Sequence, residues 1–311
     1  MDHVSLAQKS PLHRLNLFLA LSRTPHGLLD LATPGLAALL CLGGFPPFGV
    51  TVLGLITVFA GYTAVYALND LVDYRTDKAK IAEGGLTGEG YLDGIMVRHP
   101  MAQGLLSFKE GLTWAISWTA VALAGAYLLN PICALIFILG CVLEAVYCFM
   151  LAISHWRTLV SGVVKTLGGV AAVYAVESHP SPLFLALLFL FIFFWEIGGQ
   201  NLPADWHDLE EDRRWHAKTV PVRYGPEGSC KIILGALILT VILLLPLMAA
   251  SPLRFPWWAM ALAVGAGGVL LIIPAVRLCQ TRERSQATML FNQASYFPLA
   301  VLLITVAALF A

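Results

Sequence analysis

An all-α fold, a polytopic membrane bundle of about nine transmembrane helices, is what this sequence predicts, and three observations carry that reading. Of 311 residues, 58% are hydrophobic and 12% charged, whereas a soluble domain has roughly a quarter of its residues charged. Apolar runs long enough to cross a bilayer, at about 20 residues each, recur along the whole chain. Lys and Arg collect at alternate links between those runs. The runs lie near 26–44, 48–70, 110–129, 131–153, 159–177, 182–201, 230–250, 256–276 and 289–310, and residues 1–311 read as a single integral membrane domain.

In chain order, Lys9, Arg14 and Arg23 surround the short apolar run from Leu15 to Leu21. No small-residue cleavage site followed by a polar mature domain is present, which argues against a removable signal peptide. The second run leads directly into Asn69-Asp70-Leu71-Val72-Asp73-Tyr74-Arg75-Thr76-Asp77. The polar link 71–109 follows, with Gly84, Gly85, Gly88, Gly90 and Gly94; a mobile cover over a site and an ordinary surface loop are both consistent with it. Asn130-Pro131 and Ser178 to Pro182 read as tight helical hairpins. The sixth run ends in a second polar link, 202–229, which carries Asp205, Asp208 and Asp212.

All but Arg254 and Lys165 of the 19 Lys and Arg fall on the side of the N-terminus and the even-numbered links. The positive-inside rule therefore places that side in the cytoplasm, both aspartate stretches with it, and the C-terminus outside. The expected location is an inner or plasma membrane. Formal net charge is zero, so nothing points to a nucleic-acid partner. Cys41, Cys133, Cys141, Cys148, Cys230 and Cys279 show no metal or redox spacing and read as small core residues. Trp195, Trp206, Trp257 and Trp258 read as interfacial anchors, and His207 and His216 as surface histidines.

Asp70/Asp73/Asp77 and Asp205/Asp208/Asp212 share the spacing i, i+3, i+7, which on a continuous helix lies within about one face. Grouped carboxylates repel one another, so they persist where cations bind between them. Carboxylates holding Mg2+ attract phosphate, and basic residues nearby complete such a site. Asp30, Glu144, Lys165 and Glu196 lie inside spans, where ionisable groups face a polar interior. A polar mouth above an apolar bundle describes a polyisoprenyl diphosphate as ligand.

Asn69-Asp70-x-x-Asp73-x-x-x-Asp77 resembles the first aspartate-rich signature of the UbiA superfamily of intramembrane prenyltransferases. Asp205-Trp206-His207-Asp208-Leu209-Glu210-Glu211-Asp212-Arg213, running on to Lys218-Thr219-Val220-Pro221-Val222, resembles the second. Arg98-His99-Pro100-Met101-Ala102-Gln103-Gly104 is similar to the family's Arg-Pro-x-x-x-Gly segment. The resemblance implies a Mg2+-dependent transfer of a polyprenyl group from its diphosphate to an aromatic acceptor, as in lipoquinone biosynthesis, through an allylic cation in a membrane lipid environment. It implies Asn69, Asp73, Asp77, Asp208 and Asp212 as holders of Mg2+, with Asp70, Asn201 and Asp205 as ligands or support. Asp73, Asp77, Asp208 and Asp212 become the catalytic candidates, and Arg98, Arg157, Lys165 and Lys218 the diphosphate-binding ones. The Tyr-x-x-x-Lys pattern near the end of the fourth helix has no strict counterpart: Arg157 follows Ile153 by four residues, and Tyr147 lies earlier. Within the same fold the acceptor could be a porphyrin, a chlorin or a glycerol phosphate lipid, or the cation could be captured internally in a terpene cyclisation. A transporter is the reading from another class, weakened because the acids concentrate at one surface rather than at the midplane.

Overall fold

The structure, a computed structural model, describes residues 10–84 and 90–311. Among the described residues nine helices are long and apolar enough to cross a membrane, and no strand is present. Numbered in chain order, a short helix α1 (Pro11–Leu21) precedes the first span, α2 (Thr24–Leu42). Then come α3 (Phe48–Val72), the short α4 (Tyr74–Ala82), α5 (Phe108–Leu129), α6 (Pro131–Ala152) and α7 (Arg157–Val176). The chain continues with α8 (Pro182–His207), the short α9 (Leu209–Arg214), α10 (Val220–Ala249), α11 (Trp257–Thr281) and α12 (Arg284–Ala308).

Local sequence sets these starts. Proline sits in the first turn of α2, α6 and α8, where its missing N–H costs no hydrogen bond and its φ is already helical. Asn130 Oδ1 accepts the Ile132 N–H (2.9 Å) to open α6, and Ser107 with Glu110 forms a capping box at α5. These caps satisfy donors that a bilayer would otherwise leave unpaired. Both expected hairpins are present, joining α5 to α6 and α7 to α8.

The structure departs from the hydropathy reading at several helix ends, α8 running on to His207, α11 to Thr281 and α12 starting at Arg284, and most at the start of α10 and inside α2. The seventh span begins at Val220, ten positions before the apolar run, because Pro221 starts a helical turn that polar composition conceals. That turn is set off from the rest by Gly225, at φ 67°, a conformation that glycine adopts without strain. The first span is interrupted at Leu31, between Asp30 and Ala32.

The largest apolar cluster is shared by α2, α7, α8, α10, α11 and α12 around Trp195, Leu237 and Phe297. A second, smaller cluster joins α1, α3 and α5 to Met101 and Leu106 of the link after α4. Trp195 and Trp206 belong to the large cluster, which corrects their reading as interfacial anchors; Trp195 Nε1 donates to the Ala294 carbonyl (3.0 Å). Trp257 is exposed at the start of α11. Cys230 and Cys279 form a disulfide joining α10 to α11, with Cα atoms 5.5 Å apart. That corrects the core-residue reading for this pair, whose separation of 49 residues carries no local pairing signal.

Candidate active site

Both aspartate stretches end a span in the same way. Asp73 closes α3 at φ −85°, ψ 0° and opens α4. Asp208 closes α8 at φ −93°, ψ 8° and opens α9. In each the middle acid sits on the joint, and the N–H of the third acid donates to the carbonyl of the second: Asp77 to Asp73 and Asp212 to Asp208, both 2.8 Å. The expectation of one continuous helical face is thereby corrected. A bend at the middle acid turns a linear spacing into a cluster.

The two joints open on one cavity of about 650 Å³ that runs down among α2, α3, α6, α7 and α8. Asn69, Asp73 and Asp77 line it from one side; Asn201, Asp205, Asp208 and Asp212 line it from the other. Asp70 is in neither set. It is buried, with its Oδ1 3.3 Å from His99 Nδ1 and 3.4 Å from Arg23 Nη2. His99 Nδ1 also lies 2.9 Å from Asp77, so one imidazole bridges the first and third acids of the motif; the ligating atoms of all three residues lie within 4.8 Å of one another. Asn69 is fixed from both ends, donating to Glu144 Oε1 (2.8 Å) and accepting from Arg23 Nη2 (3.3 Å).

Basic residues answer the acids from three directions. Arg157 Nη1 donates to Asp205 Oδ1 (2.9 Å), and its guanidinium carbon lies 3.9 Å above the centre of the Tyr147 ring. Tyr147 accepts a hydrogen bond from Asn201 Nδ2 (2.9 Å). Arg157 and Tyr147 therefore meet across α6 and α7 although no fixed spacing links them. Buried Lys80 pairs with Glu211 at 3.1 Å, tying α4 to α9. Arg98 lines the cavity with its guanidinium 4.8 Å over Tyr91, and its Nε and Nη1 are buried with no hydrogen-bond partner among the described residues.

The electrostatics show excess negative charge. Burial, then the neighbouring Asp77 charge, pushes the Asp73 carboxyl up to about 6, against the pull of Arg157. Burial and the Asp205 charge raise Asp212, opposed by Lys80. Burial raises Asp208, opposed by Arg98. His99 goes the other way: burial disfavours its charge, but Asp70 and Asp77 hold it protonated up to about 9. Acids that resist ionisation beside one another are relieved by a cation.

The donor chemistry fits a hard divalent ion. The lining set is carboxylate and amide oxygen, the ligand type such ions prefer. Asn201 Oδ1 and Asp205 Oδ2 are buried acceptors with no partner among the described residues. Such orphans are uncommon in folded proteins and call for a ligand.

Two basic candidates are placed elsewhere. Lys165 lies eight residues along α7 from Arg157, about 12 Å at helical rise, and its ammonium is 2.6 Å from Asp30 in the cavity wall. Lys218 is exposed and outside the cavity lining. His207 is buried rather than at the surface: Arg284 donates to its Nε2 (2.6 Å), so its proton sits on Nδ1 and is donated to Thr288 Oγ1 (2.7 Å). His216 is exposed, as its reading has it. Of the glycine-rich stretch, Gly85 and Gly88 lie outside the described residues. From Gly90 onward the link is packed, with Tyr91 against Phe291 (5.0 Å) and Asn292 bonded to Gly90 and Leu92. Arg23, His99, Lys80, Tyr147 and Glu144 were not singled out from the sequence for these contacts; the signals available were Glu144 as a charge inside a span, Tyr147 near the Tyr-x-x-x-Lys position and His99 within the Arg-Pro-like segment.

An integral membrane bundle with two acid-bearing joints over a largely apolar cavity is the class that fold and site define. Residues 31–297 match the UbiA prenyltransferase family, and the chain belongs to that family; it is an enzyme that transfers prenyl groups. Digeranylgeranylglyceryl phosphate synthase of Thermococcus sibiricus is 29% identical over 221 residues, covering 71% of this chain and 73% of the relative. 4-Hydroxybenzoate octaprenyltransferase of Photobacterium profundum is 26% identical over 282 residues, 90% of this chain and 91% of the relative. Among solved structures, the apo UbiA homologue of Aeropyrum pernix superposes with a TM-score of 0.71 at 18% identity, over 92% of this chain and 97% of that one. The Archaeoglobus fulgidus homologue bound to GPP and Mg2+ superposes with a TM-score of 0.66 at 17% identity, over 95% of this chain and 100% of that one.

Proposed function

We propose that this enzyme transfers a polyprenyl group from its diphosphate to an aromatic acceptor, in a Mg2+-dependent reaction at the cytoplasmic face of the membrane. The observation that carries the reading is the convergence of two equally spaced, equally bent acid clusters on the mouth of one apolar cavity. Solved relatives holding GPP or DMAPP with Mg2+ support the donor and the metal; curated relatives acting on 4-hydroxybenzoate support the aromatic acceptor. The cytoplasmic orientation rests on the Lys and Arg distribution.

Asn69, Asp73 and Asp77, facing Asn201, Asp205, Asp208 and Asp212, hold Mg2+ in this reading. Bound there, the metal neutralises the diphosphate charge as the group departs. Arg98, which lines the cavity and has two guanidinium nitrogens with no hydrogen-bond partner among the described residues, takes diphosphate oxygens. Arg157 and Lys80 carry the balancing positive charge, and Asp70 with Arg23 and His99 sets the position of the first joint. The prenyl chain lies along the apolar wall, which keeps water from the allylic cation until the acceptor captures it.

Purified protein supplied with Mg2+, a prenyl diphosphate and a panel of phenolic acids and naphthoates releases diphosphate and yields a prenylated product by mass. A cyclised hydrocarbon formed without a second substrate would replace this reading with terpene cyclisation.

A further inference from the structure

Five Lys and Arg side chains line the cavity, and acids hold four of them. Arg23, Lys80, Arg157 and Lys165 pair with Asp70, Glu211, Asp205 and Asp30 at 3.4, 3.1, 2.9 and 2.6 Å. Arg98 forms no ion pair among the described residues, although Asp208 feels its charge. Its guanidinium is thus left available to a ligand. A long side chain held by no acid spreads over several rotamers unless packing selects one.

Packing does select one. The guanidinium carbon of Arg98 lies 4.8 Å from the centre of the Tyr91 ring, within the range of a cation–π contact. That ring is itself fixed: it is 7% exposed and meets His207 at 4.8 Å and Phe291 at 5.0 Å, both edge to face. The backbone on either side of it is fixed as well. Asn292 Nδ2 donates to the Gly90 carbonyl (2.7 Å), and Asn292 Oδ1 accepts the Leu92 N–H (3.2 Å). One side-chain amide therefore brackets Tyr91 through both of its neighbours. Gly90 lets the chain come this close, with φ at 87° and room for no more than a tight contact between an added Cβ and Thr288 Cγ2, at 3.2 Å.

Arg284, Thr288, Phe291 and Asn292 fall at i, i+4, i+7 and i+8 of α12, which is one helical face. The same face holds the second acid joint, since Arg284 and Thr288 bond the two ring nitrogens of His207, the residue before Asp208. A single face of the last helix thus sets both the arginine-bearing link and the second joint.

We propose that Asn292 and Tyr91 are positioning residues for Arg98: Asn292 clasps the chain on both sides of Tyr91, and the Tyr91 ring holds the guanidinium where it meets the diphosphate. This rests on the reading of Arg98 as a diphosphate-binding residue and names what aims it.

The test measures equilibrium binding of geranyl diphosphate with Mg2+, without acceptor, to purified wild type, Tyr91→Leu, Tyr91→Phe, Asn292→Ala and Arg98→Met, and to Arg98→Met combined with Tyr91→Leu. Unfolding temperatures are taken alongside, and the comparison of Tyr91→Leu with Tyr91→Phe stands whether or not Asn292→Ala folds. Tyr91→Leu and Asn292→Ala each bind about tenfold more weakly, as expected for loss of a desolvated cation–π contact. Tyr91→Phe, which keeps the ring face, retains most of the affinity that Tyr91→Leu loses. In the Arg98→Met background Tyr91→Leu has no further effect, because the group it positions is gone. Binding by Tyr91→Leu as tight as wild type, a loss that adds in full to that of Arg98→Met, or Tyr91→Phe as weak as Tyr91→Leu would overturn the assignment. Arg98→Met binding as tightly as wild type would remove the donor role of Arg98 and the clasp with it. Weak binding by Arg98→Met beside intact binding by Tyr91→Leu would remove the clasp alone.

Discussion

Replacing Asp73 by Asn isolates the electrostatic strain of the acid clusters. In the metal-free protein the Asp73 carboxyl sits at about 6 against 3.8 for a free side chain, through burial and the nearby Asp77 charge. A carboxyl raised in the folded state favours folding only while protonated, so its unfavourable contribution grows as pH climbs from about 4 through 6 and is complete at neutral pH. That displacement corresponds to about 3 kcal/mol, and residual solvent contact reduces it to about 1–2 kcal/mol. In a chain of this length the gain is about 2–3 °C in unfolding temperature. Asp73→Asn in detergent with a chelator is therefore expected to unfold above wild type at neutral pH and to match it near pH 4. Adding Mg2+ raises the wild type and moves the variant less, because one holder is lost. A variant that unfolds below wild type in chelator, or that gains as much from Mg2+, would refute the view that these acids are strained for want of a cation.

Two further outcomes follow from the same contacts. Lys165→Met leaves the Asp30 charge buried beside Tyr66 and His26 and is expected to cost about 3–5 kcal/mol; combining it with Asp30→Asn restores most of that in denaturant unfolding, whereas additive losses would contradict a buried pair. His99, held protonated up to about 9 by Asp70 and Asp77, contributes stability present below about 6.5 and lost as pH rises through about 9, so His99→Gln flattens the pH dependence of unfolding across that interval, and an unchanged slope would count against the bridge.

The spans were legible because length and hydropathy dictate them; what escaped were polar helix ends, above all Val220 to Ser229 and also the last turns of α8 and α11 and the first of α12. The two aspartate stretches were legible by spacing, but their bend was not. A break at Asp73 or Asp208 has no glycine or proline beside it to announce it. Asp70 looked equivalent to its neighbours, and its contacts with Arg23 and His99 come from 47 and 29 residues away along the chain, beyond any local pattern. Lys165 was legible as a charge inside a span, and its pairing with Asp30 depends on how α2 packs against α7. The burial of His207 and Trp195 likewise depends on α12, which meets them from the far end of the sequence.

The central claim is that both acid clusters act together on one prenyl diphosphate. Diphosphate release and product mass from Asp73→Asn combined with Asp208→Asn test it most directly, beside a wild type assayed with Mg2+ and an accepted phenolic substrate. Loss of transfer in a variant that still folds is the expected result. Transfer at the wild-type rate would contradict it.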